Sequence, residues 1–176
     1  MKGRNIEMAE AENASAMLRA ADLLIRLGGG LAALLILVMF AIVTYAVTQR
    51  YVFNAPLMWG DELIGYLLVA TVMLGAAEAF RCGDHIAIDL VASRAKGRQR
   101  LLLGLLIDLS VIVFSGILGW SAWKSIQFAR AFGSYSVGYI EIETWIPQVP
   151  LVFGAGLLTL AAVADMIRLI GRADAT

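Results

Sequence analysis

Acids set inside apolar stretches are the residues of this 176-residue chain best placed to do chemistry. Asp108 is the deepest of them, seven residues past Leu101 and so roughly 10 Å into a helix that starts there. An ionised acid at such depth is costly and calls for a partner or a path to water. Arg26 is the candidate partner. An inter-helix or inter-subunit polar contact is the favoured reading of Asp108, and an ion or proton site is the alternative. Glu78 and Asp165 lie nearer the ends of their stretches, three residues before Arg81 and Arg168. That spacing places each pair on one helix face as a boundary ion pair. His85 is the only histidine and Cys82 the only cysteine. A lone imidazole reads as a hydrogen-bonding anchor, and it excludes a haem held by two histidines of this chain. A lone thiol excludes an internal disulfide. No HExxH, P-loop, GxSxG or CxxC pattern occurs, and no catalytic residue, metal or cofactor is expected.

The elements that position these residues follow from hydropathy. Hydrophobic residues make up 60% of the chain and charged residues 16%, with a formal net charge of zero. Soluble domains sit near 45–50% apolar, and a chain without a basic surface offers nothing to nucleic acid. Crossing a bilayer takes roughly 20 apolar residues of helix. Four segments reach that length: Leu27–Val47, Leu63–Phe80, Leu101–Trp123 and about Trp145–Met166. Pro147 and Pro150 fall in the first turns of the last, where a missing N–H costs least. The expectation is an all-α integral membrane protein of one domain, 1–176. Its spans are placed at about 23–47, 63–80, 101–123 and 145–168, behind a polar cytoplasmic leader, 1–22, read as an interfacial or frayed helix. The first span is too long and starts too late for a signal peptide, so it is read as retained.

Lys and Arg set the orientation. Eleven of the fourteen cations fall in the leader, in the segment between spans two and three, and in the tail, while Arg50, Lys124 and Arg130 fall on the other side. Both termini are therefore expected in the cytoplasm. Trp59, Trp120, Trp123, Tyr135, Tyr139 and Trp145 gather near the outer boundary, as an aromatic belt would. Small residues at Gly28–Gly30, Gly75–Ala77, Ser115, Gly119, Gly154 and Gly156 predict close helix packing.

Two motifs flank the second span. Arg50-Tyr51-Val52-Phe53-Asn54-Ala55-Pro56-Leu57 precedes it, with Trp59, Asp61 and Glu62 at its start. Gly75-Ala76-Ala77, Arg81, Gly83, His85-Ile86 and Asp89-Leu90 close it. Asn54 and Pro56 are turn chemistry. Trp59 is an interface anchor. Asp61 and Glu62 suit the positive end of the helix dipole, where Arg50 could pair with either. Arg81 suits the negative end, Gly83 permits a C-terminal turn, and Asp89 could cap or pair in the basic inner segment. Helix-end architecture is the common reading of all these residues.

Together the motifs resemble the small membrane subunit (Q, or DctQ type) of the tripartite ATP-independent periplasmic, or TRAP, transporters. That family carries R-Y-V-F-N-x-P-L-x-W-x-E-E leaving the first helix and R-x-G-x-H-I-x-x-D-L leaving the second. Asp61 stands where the family has Glu, and the resemblance covers about residues 45 to 92 closely. It implies a multi-pass protein of the bacterial inner membrane whose partners are a large membrane subunit, a periplasmic substrate-binding protein and lipid. In that setting the chain is a scaffold for sodium-driven uptake of an organic acid, and not an enzyme. The alternative is a self-contained four-helix transporter acting as a homodimer.

Overall fold

A computed structural model describes residues 2–83 and 98–174, with side chains described for 16–83, 99 and 101–171. Four long helices make the bundle: α1 (Lys2–Tyr51), α2 (Gly60–Cys82), α3 (Arg98–Phe132) and α4 (Val149–Asp174). A 3-10 turn, Ile146–Gln148, leads into α4 and holds Pro147. The stretches long and apolar enough to cross a membrane are Ala16–Tyr51, Gly60–Cys82, Leu101–Phe132 and Ile146–Gly171. The all-α, four-span expectation therefore holds, and helices are the form in which a lipid-exposed backbone satisfies its own N–H and C=O groups.

Two helices run beyond the expected spans. The leader, expected as an interfacial or frayed helix, is continuous with the first span: α1 runs unbroken for 50 residues. Between Arg4 and Leu27 there is no Gly or Pro, and Ala, Glu, Leu and Arg dominate, all strong helix formers. At about 1.5 Å per residue such a helix is roughly 75 Å long, well beyond the hydrocarbon core. The third helix likewise continues past Trp123 to Phe132. Lys124 and Arg130 thus lie on α3 and cover aromatic rings, Lys124 Nζ 5.2 Å from the Trp120 ring and the Arg130 guanidinium 5.0 Å from Trp145. A cation laid over an indole stays helical at an interface without exposing its stem.

The helices pack as neighbours in a row. α3 lies mainly on α4, α1 on α2, and α2 on α4, while α1 touches α4 more lightly. On α3 the buried residues Asp108, Ser115, Ala122 and Ala129 recur every seven positions, with Ile126 between the last two. A seven-residue stripe is the seam of a left-handed helix pair. The buried residues of α4 include Ala155, Ala161, Ala162 and Ala164, and a Cβ on Gly119 of α3 would lie 3.3 Å from the Ala155 methyl. Ser115 and Thr159 hydroxyls meet across this seam at 2.8 Å, one donating to the other. Each also lies within bonding distance of a carbonyl four residues back on its own helix, and the hydroxyl that accepts across the seam donates to its carbonyl. Ile25, Ala77, Phe80, Ala161 and Ala162 form a cluster where three helices converge.

Backbones approach closely where glycine allows it. A Cβ on Gly154 would lie 2.6 Å from the Met73 carbonyl carbon of α2, and one on Gly29 would lie 2.7 Å from Glu78 Cγ. Gly30 and Gly156 face open space, so only part of the small-residue pattern is used within this chain.

Candidate functional site

The polar residues singled out by the sequence gather at the two ends of the bundle. At one end, α1 stops where Asn54 takes a left-handed φ of 51°. Asn tolerates this conformation better than most side chains. The Ala55 N–H then reaches back to the Gln49 carbonyl at 3.0 Å, and Val52 N–H to Thr48 at 2.9 Å. The chain turns through Pro56, and Trp59 forms the N-cap of α2 through its backbone, with no side-chain cap bond. Asp61 and Glu62 occupy the first turn, as expected from the helix dipole.

Glu62 carries the most elaborate contact of this end. Tyr66 Oη donates to Glu62 Oε1 at 2.6 Å, Ser136 Oγ donates to the same oxygen, and the Ile140 N–H donates to Oε2 at 3.0 Å. Tyr66 and Ser136 hydroxyls are themselves 2.8 Å apart. The loop after α3 is thereby tied to the start of α2. Gly138 lies so close that a Cβ there would overlap the Glu62 carboxylate. The loop is also closed on itself. Ser136 N–H bonds Ile142, Thr144 N–H bonds Ser134, and a single bridge pairs Tyr135 with Glu143. Trp145 Nε1 donates to Glu143, holding the indole beneath Arg130. Arg50, expected to pair with Asp61 or Glu62, is exposed and makes no ion pair among the described residues. Glu62 has turned toward the α3–α4 loop, which offers it two donors, Ser136 Oγ and the Ile140 N–H, beside Tyr66 of its own helix.

At the other end, Arg81 closes on Glu78 with two bonds, 2.8 Å from Nε and 2.6 Å from Nη2, as the three-residue spacing predicts. Gly83 adopts φ 74° and returns its N–H to the Ala79 and Phe80 carbonyls, the expected permissive turn. His85 and Asp89 lie outside the described residues. Arg168 departs from expectation: it bonds Asp22 of α1 at 2.7 Å, and not Asp165 on its own helix. Asp165 is exposed. The pair joins the first and last helices, so the N-terminal part of α1 and the C-terminal part of α4 share one end of the bundle.

Asp108 is 1% exposed and its Oδ2 has no hydrogen-bond partner among the described residues. The expected pairing with Arg26 is not made. α3 packs on α4 while α1 lies chiefly on α2, so Arg26 is left near Asp22 and Glu78, whose charges it influences. Among the described residues no group of three acidic, histidine or cysteine side chains converges as a metal site would require. Sequence reasoning missed the partners of Glu62 and Asp22. The only local signal was Tyr66, one turn after Glu62.

The family described as "Tripartite ATP-independent periplasmic transporters, DctQ component" matches residues 39–172. The chain is similar to the sialic acid TRAP transporter small permease protein SiaQ of Vibrio cholerae, 26% identical over 100 residues, 57% of this chain and 58% of that protein. It is similar to the C4-dicarboxylate TRAP transporter small permease protein DctQ of the same organism, 25% identical over 140 residues, 67% of this chain and 60% of that one. A 79-residue stretch is 32% identical to the sialic acid TRAP transporter permease protein SiaT of Haemophilus influenzae, covering 45% of this chain and 13% of that protein. The chain thus spans about three-fifths of the length of the two small permease relatives, 58% and 60%.

Proposed function

Since the chain belongs to the DctQ component family of the tripartite ATP-independent periplasmic transporters, we propose that it acts as the small membrane subunit bracing a large permease subunit. Members of this family are transporter components of the inner membrane and not enzymes. In the proposed arrangement the whole chain is one membrane domain with both termini cytoplasmic, following the Lys and Arg bias. The Glu62 end then faces the periplasm, where a substrate-binding protein delivers an organic acid, and sodium drives its uptake through the larger partner. Homologues named for sialic acid and for C4-dicarboxylates support the substrate class.

One observation carries the bracing role. The bundle is thin, and its own contacts cover little of it: in the most apolar window of α1 only 6% of residues are buried, against 28% in the last span. Leu27, Leu31, Leu34 and Phe40 all stand exposed along α1. Meanwhile the membrane-depth polar groups are sealed or closed on each other, as Asp108 and the Ser115–Thr159 pair are. A wide apolar face without an internal polar path suits a wall against which another subunit moves. The SiaT relative supports a large partner, since the stretch similar to this chain is 13% of a longer permease protein.

Co-purification tests the reading. A tagged copy expressed with its neighbouring genes is expected to bring down a much larger hydrophobic protein, and vesicles holding this chain alone should move no solute. A purified homo-oligomer that transports unaided would overturn the brace in favour of the homodimer.

A further inference from the structure

Asp108 stands at the α3–α4 seam, one turn from Val111 and Ile112, which pack against the three-helix apolar cluster. It is 1% exposed within this chain alone, with an oxygen that bonds nothing among the described residues. Among the described residues no cation pairs with it. On α1, Asp22 is closed on Arg168 of α4, and on α2, Glu78 is closed on Arg81. Arg26 bears on those two acids, and no ion pair joins it to Asp108. Asp165, an acid on α4, is exposed and carries the same sign.

A bare carboxylate in such surroundings is expensive. Three things could relieve it. A side chain from another subunit has no access, because this chain already seals the site. A metal cation needs several oxygen ligands at once, and no acidic cluster converges among the described residues. The hydroxyls of Ser115 and Thr159, the next polar groups on this face, lie about two helical turns on and are bonded to each other. A proton needs no further ligand.

We propose that Asp108 is a protonation site: a neutral carboxyl closed inside the α3–α4 seam, whose loss of a proton requires the seam to admit water. The inference rests on burial within this chain and is independent of which solute the transporter carries. It is tested on the complex with its large partner in lipid nanodiscs, by infrared difference spectroscopy at neutral pH. The expected result is a C=O stretch of a protonated carboxylic acid in the native complex that is lost in Asp108→Asn and kept in Asp165→Asn. Asparagine mimics the neutral acid, so Asp108→Asn should also assemble and melt within about 2 °C of the native complex. An unchanged band in Asp108→Asn would overturn the proposal. Assembly of Asp108→Glu but not of Asp108→Asn would do the same, because the site would then need the charge.

Discussion

Replacing Gly154 with alanine probes the tightest contact in the bundle. The new Cβ would sit 2.6 Å from the Met73 carbonyl carbon and 2.7 Å from Met73 Cβ, against open space at Gly156 two residues on. Carbon atoms rest about 3.5–4.0 Å apart, so α2 and α4 must part by about 1 Å. The obstacle is helix backbone and not the tip of a flexible side chain, so the strain has no local outlet. Overpacking of this kind costs about 1–3 kcal/mol. Alanine also recovers up to about 1 kcal/mol of helix propensity relative to glycine. That gain is the same at Gly156, so the difference between Gly154→Ala and Gly156→Ala isolates the contact. At roughly 2–4 °C per kcal/mol for a chain of this size, Gly154→Ala should melt about 2–12 °C below Gly156→Ala. The assay is a thermal scan of the purified complex at one fixed heating rate, since membrane proteins commonly unfold irreversibly. Melting temperatures within about 1 °C of each other would refute the close approach of α2 and α4.

Two further outcomes follow from the bundle ends. Glu62→Ala removes the acceptor of Tyr66, Ser136 and Ile140, so hydrogen exchange at the Ile140 amide should rise about tenfold. Glu62→Gln, which keeps one acceptor oxygen, should give a smaller rise, and exchange unchanged in both variants would show that the loop does not depend on this residue. In a double-mutant cycle, Asp22→Asn and Arg168→Gln should couple by about 0.2–1 kcal/mol, the range for side chains 31% and 30% exposed. Asp165→Asn should show no coupling to Arg168, and equal coupling would return the pair to the α4 face.

Local sequence spacing was a sound guide wherever partners lie within a turn or two on one helix. Glu78 and Arg81 are three residues apart and meet. Gly83 and Asn54 sit where helices end, and both take positive φ. The reach of each polar residue across helices was not legible. Arg168 had Asp165 at the same three-residue spacing, yet bonds Asp22 across the bundle. Spacing makes a partner available, but helix order decides which of the available partners lies nearest. The length of α1 was hidden for another reason: hydropathy marks where a helix enters the membrane, while propensity decides where it stops.

The chain's residues alone determine that four helices span the bilayer, because a lipid-exposed backbone must bond to itself and apolar length is read directly from side chains. They also determine the family, through motifs that crowd the ends of the second helix. Only the tertiary structure decides that Glu62 ties down the loop after α3, that Asp22 and Arg168 join the first and last helices, and that Asp108 is buried in the α3–α4 seam. These depend on which helix stands beside which, and in lipid that order is chosen by close packing of small residues across the whole bundle, a property no single segment carries.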